Sequence, residues 1–160
     1  MTTRLRPHHL LCMLTFASKG YTPAFVKNFE EVVRRLATAN ETVEIVEGPD
    51  DVCDPLLGEP DSHCHNANIA VRDRHASEAL SDLLRRPIQT KEQVLLDQET
   101  LDIMREAFAV GSIRRACVGC QWVPLCDAIA QNGFTGTQLL NEGNPVTTPE
   151  TVYQISPARY

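Results

Sequence analysis

Apolar residues recur at helical spacing in several segments of the chain, separated by stretches rich in Gly, Pro and Asp. Residues 7–17 read as a helix, with Pro7 suited to the first turn and Gly20 ending the segment. Leu10, Leu11, Met13, Leu14 and Phe16 make it apolar on nearly all sides, which predicts burial. Residues 23–39 read as an amphipathic helix: Thr22 can cap it, Pro23 fits its first position, and Phe25, Phe29, Val32 or Val33, and Leu36 recur at three- and four-residue steps. TVEIVE at 42–47 alternates and is β-branched, so it reads as a short strand. The punctuated stretch 48–66 reads as a long loop, and NIAVRD at 68–73 as a second strand paired with the first. Residues 75–85 then form a helix with Ala79, Leu80, Leu83 and Leu84 inward. Asp97 caps another, with Leu101, Met104 and Phe108 on its apolar face and Gly111 as its stop. Pro124 starts a last helix that ends near Asn132 and Gly133.

The pattern predicts an α+β fold: a mostly α-helical single domain over residues 1–140, with a small two- or three-stranded sheet and a cysteine-bearing long loop. Residues 141–160 carry three prolines and no helical period, and are expected to form an extended or mobile tail.

Composition narrows the function. Of 160 residues, 42% are apolar and 22% charged, an ordinary globular balance. A net charge of −6 argues against a general nucleic-acid surface, and 6% aromatic content gives little platform for stacked bases. No apolar run approaches the roughly 20 residues that span a bilayer. The N-terminus has a basic and then an apolar stretch, but His8, His9 and Cys12 interrupt it, so it reads as a buried helix of a cytoplasmic protein rather than a leader. No nucleic acid and no membrane are expected as partners.

Six cysteines are many for a cytoplasmic chain, and point to metal binding or redox chemistry. Three lie in RACVGCQWVPLC, residues 115–126. Two residues separate Cys117 from Cys120 and five separate Cys120 from Cys126. The first gap lets both thiolates face one centre across a turn in which Gly119 permits close backbone approach. The second places Cys126 in the first turn of a helix, where free N–H groups favour a thiolate and an anionic cluster. Arg114 and Arg115 can offset the charge of such a cluster, and Trp122 can shield it. The spacing resembles the last three ligands of the cluster loop in the endonuclease III family of DNA glycosylases. Val110 stands where that loop has its first cysteine, and no other feature suggests a glycosylase. A [4Fe–4S] cluster is the expected cofactor, with zinc as the alternative.

A fourth ligand must come from elsewhere. Cys53 in the long loop is the expected one, with Cys64 next in reserve and Cys12, His8, His9 and His63 behind it. His8 or His9 can share a helix face with Cys12, and these groups with His63 would also suit general-base or thiol work in an enzyme. Cys12 by itself reads more simply as a packed core residue. Asp50, Asp51 and Asp54 read as turn chemistry, with a hard cation as the other reading. Arg72, Asp73, Arg74 and His75 read as a buried ion-pair network, with part of a substrate site as the other reading.

Together RPHHLLC at 6–12, SKGY at 18–21, GPDDVC at 48–53, HC at 63–64, RD at 72–73, and ACVGCQW with LC at 116–126 resemble the domain of unknown function 1284 (DUF1284) family. The likeness runs to about Leu140, and all six cysteines fall on its motifs. It implies an iron–sulfur-binding protein and supplies no reaction. The expected function is therefore cluster binding in electron transfer, redox sensing or cluster-dependent chemistry, with a redox partner protein or a small-molecule substrate. The alternatives are a zinc-stabilised regulatory or interaction protein and a thiol-redox enzyme. Whether the chain is an enzyme stays open at this stage.

Overall fold

A computed structural model describes residues 2–39, 41–60 and 66–139. The chain opens with strand β1, Thr2–Leu5, whose side chains alternate exposed and buried. It turns directly into helix α1, Pro7–Thr15, and then helix α2, Pro23–Ala39. Strand β2, Thr42–Ile45, pairs in parallel with β1, Thr3 opposite Val43 and Leu5 opposite Ile45. Two parallel strands need a crossover, and α1 and α2 supply it.

After a short 3-10 turn at Asp54–Leu56 comes helix α3, Ala67–Leu84. Strand β3, Gln93–Leu95, pairs antiparallel with β2, giving the order β1-β2-β3. Helix α4, Gln98–Ala109, is capped by Asp97, whose carboxylate accepts the Thr100 N–H at 2.9 Å. A second 3-10 turn, Arg115–Cys117, leads to helix α5, Val123–Gln131.

Thr3, Leu5, Val43, Ile45 and Val94 form the buried sheet face. The other face carries Thr2, Arg4 and Gln93, which are exposed, and Glu44, which is half-buried. Helix α1 lies at the centre of the domain and packs on α3, α4 and α5. Its Leu10, Leu11, Met13 and Leu14 are each at most 1% exposed, as an apolar surface on nearly all sides requires. Among the described residues, no helix is long and apolar enough to cross a membrane.

The architecture is the expected mostly helical α+β domain with a three-stranded sheet. NIAVRD, expected as a strand, is instead the start of α3. Ile69, Ala76 and Leu80, seven and four residues apart, form its buried stripe. Val71 faces solvent, whereas a strand would have put it on the same side as Ile69. The strands at 2–5 and 93–95 were not anticipated. Helix α5 starts one residue before Pro124. The expected tail at 141–160 lies outside the described residues.

Candidate functional site

The turn around Cys117 is built by its own backbone. The Cys120 N–H donates to the Cys117 carbonyl at 3.0 Å, and Gly119 has a φ of +77°, a value that side-chain-bearing residues rarely adopt. The Val123 N–H then bonds to Cys120 at 3.2 Å and the Cys126 N–H to Trp122 at 2.9 Å. Cys126 therefore occupies the first turn of α5, and its sulfur lies 3.2 Å from the Thr15 hydroxyl at the end of α1.

Cys117, Cys120 and Cys126 line a cavity of about 710 Å³. Cys12 reaches the same cavity from α1, and Cys53 from the turn before Asp54–Leu56. Burial pushes the Cys12 thiol well above its ordinary pKa, and the nearby Cys126, Cys120 and Cys117 push it further. Burial likewise raises Cys117 and Cys126, against the lowering effects of Arg114 on Cys117 and of the Thr15 hydrogen bond on Cys126. Four of the five thiols that line the cavity thus stand near enough to disfavour one another's thiolate forms. Cys12 packs against the core, as expected, and also lines this cavity.

The wall beside them holds two carboxylate–histidine pairs. His9 Nδ1 lies 2.6 Å from Asp50, and His8 Nδ1 lies 2.5 Å from Asp73. Asp73 also binds the Arg6 guanidinium at 2.7 Å, so among the described residues its ion pairs run to Arg6 and His8 and not, as expected, to Arg72, Arg74 and His75. Burial, and then His9, lower the His8 pKa to about 4, outweighing Asp73. Burial would raise Asp50, but His9, the Arg6 N–H and Cys53 hold it at about 2. Neutral His8 therefore carries its proton on Nδ1, facing Asp73.

Among the described residues, His9, Asp50 and Cys53 group their donor atoms within 4.8 Å of one another. That is spacing for a single ion. However, the Asp50 oxygens already serve His9 and the backbone N–H groups of Arg6 at 2.7 Å, Val52 at 3.1 Å and Cys53 at 3.2 Å. Asp50 is thus a positioning group for His9 and for the Cys53 turn, which is the turn chemistry expected of the Asp run. Asp51 similarly binds Arg4 through backbone and side chain. Asp54 is exposed.

Of the expected ligands, Cys117, Cys120 and Cys126 are brought together, and Cys12, a reserve ligand, joins them. Cys53 lines the same cavity on the His9 side. His63 and Cys64 lie outside the described residues. Sequence reasoning missed Asp50 and Asp73 as the partners of the two histidines, because each pair is more than 40 residues apart.

A helical α+β domain that gathers cysteines from both ends of its chain into one cavity is the class defined by this arrangement. The chain belongs to the family described as Protein of unknown function (DUF1284), which matches residues 20–126, about two thirds of the sequence. The match takes in Cys53 and ends at Cys126; His8, His9 and Cys12 precede it. No curated protein and no solved structure matched the chain.

Proposed function

We propose that this protein binds a [4Fe–4S] cluster in the cavity, held by Cys12, Cys117, Cys120 and Cys126, and exchanges electrons with a partner protein in the cytoplasm. The supporting observation is the spacing of these four cysteines. They share a cavity and lie close enough to perturb one another's charge, yet no three of them have sulfurs within 4.8 Å of one another. A single zinc ion, with Zn–S bonds of about 2.3 Å, would hold tetrahedral thiolates about 3.8 Å apart. A cubane gives each thiolate its own iron and spreads them wider. The donor set fits, since four thiolates are the usual complement of such a cluster. Cluster potential is set by hydrogen bonds to sulfur and by exposure, and Thr15 at Cys126 and Arg114 at Cys117 supply such contacts. Val118, between two ligands, is 78% exposed, which brings the loop to the surface where a redox partner can approach.

Anaerobic purification tests the reading. Iron, acid-labile sulfide and a broad visible absorption are expected, lost in Cys12→Ala and kept in Cys53→Ala. A colourless anaerobic preparation with one zinc per chain would sink the cluster reading. A cluster retained in Cys12→Ala and lost in Cys53→Ala would move the fourth ligand to the loop.

A further inference from the structure

The protein carries a net charge of −6, yet the described lining of the cavity includes Arg6, Lys19, Arg72 and Arg114 and no carboxylate. Two of these cations are neutralised from behind: Arg6 by Asp73, and Arg114 by Asp127. Arg114 also hydrogen-bonds Cys117, so it already serves the thiolates. Arg72 differs. It lines the cavity from α3, the helix that packs on α1. It makes no hydrogen bond or ion pair with any described residue. Its planar fork of five N–H donors is built for a two-oxygen anion. Asn68, one turn earlier on α3, lines the cavity beside it.

Aromatic side chains form another part of the wall. Tyr21 stands edge-on to Trp122 at 5.5 Å and to Phe25 at 5.3 Å, and all three rings line the cavity. The volume lies within the range of small-molecule sites. His8 does not supply the anion contact, because in its neutral form it offers Nε2 only as an acceptor.

We infer that the cavity binds a small organic carboxylate with an apolar or aromatic body, its carboxylate held by Arg72 and its body against Tyr21, Phe25 and Trp122. The proposal deepens the cluster reading by placing a ligand beside the thiolates, but the carboxylate site itself does not require iron.

Titration calorimetry with benzoate, benzamide and acetate tests it on anaerobically purified protein. Saturable benzoate binding is expected, with none for isosteric but uncharged benzamide. Arg72→Gln should weaken benzoate roughly tenfold or more with iron and sulfide unchanged, and Arg72→Lys should restore part of the loss. Tyr21→Ala should weaken benzoate more than acetate. Absence of benzoate binding to cluster-replete protein overturns the proposal. So does loss of iron and sulfide in Arg72→Gln, which would make Arg72 a counter-charge for the cluster. Benzoate binding to a zinc-containing preparation would remove the cluster reading and leave the carboxylate site standing.

Discussion

Mild acid should destabilise this domain through His8. His8 has its ring against Asp73 and a side chain only 12% exposed, and its pKa falls from 6.5 to about 4 on folding. Burial is the main cause and the neighbouring His9, its ring centroid 4.2 Å away, is the second. A group whose folded pKa is depressed favours the folded state above its unfolded pKa. The advantage is lost as pH falls through 6.5 toward 4. Linkage gives a loss of about 2 kcal/mol at pH 5 and about 3 kcal/mol below pH 4. That is a large share of the 5–15 kcal/mol typical of a domain. Urea unfolding followed by far-UV circular dichroism at pH 7, 6 and 5 measures it. In His8→Asn, an amide N–H takes the place of Nδ1 without a titrating ring, so the loss between pH 7 and 5 should shrink by about 2 kcal/mol. Equal pH slopes for the two proteins would refute the assignment.

Three further outcomes are expected. Asp97→Ala removes the acceptor for Thr100 at the start of α4 and should lower the urea midpoint; no loss would show that the cap is idle. Gly20→Ala would set a Cβ 2.5 Å from the Phe25 ring, which Tyr21 and Phe29 flank, and should cost the roughly 1–3 kcal/mol of an overpacked site, read as a lower Tm. Thr15→Val removes the hydroxyl 3.2 Å from the Cys126 sulfur. In cluster-replete protein this should lower the midpoint potential in a spectroelectrochemical titration, because a donor to sulfur favours the more negative, reduced state. An unchanged or higher potential would refute that role.

Local signals carried much of the fold. Thr22, Pro23 and the Phe25–Phe29–Leu36 stripe predict a helix over 23–39, and α2 spans those residues. The central position of α1 follows from apolar residues on nearly all its sides. The errors arose where two periods compete over a few residues. Ile69 and Val71 alternate like a strand, and only Ala76 and Leu80 further on reveal the helix. β1 and β3 have four and three residues, and their identity depends on β2 lying between them. The site divides in the same way. The Cys117–Cys120–Cys126 turn is visible because its geometry is local. The approach of Cys12, and the pairing of His8 with Asp73 and His9 with Asp50, are products of α1 packing against the rest of the chain. Arg72, next to Asp73 in sequence, looked like part of an ion-pair network, yet among the described residues Asp73 turns to Arg6 and Arg72 to the cavity.

The union of Cys12 with the 117–126 segment also sets an order of events during synthesis. The cavity joins one thiol from the first helix to three that emerge between 105 and 114 residues later. At about 5–20 residues per second, Cys12 waits roughly 5–25 s before its first partners exist. Throughout that interval it lies on an apolar segment whose packing partner α5 is still incomplete. Whatever fills the cavity must therefore arrive after nearly the whole domain has been made. The nascent chain is most open to oxidation, or to capture by the wrong metal, before that point.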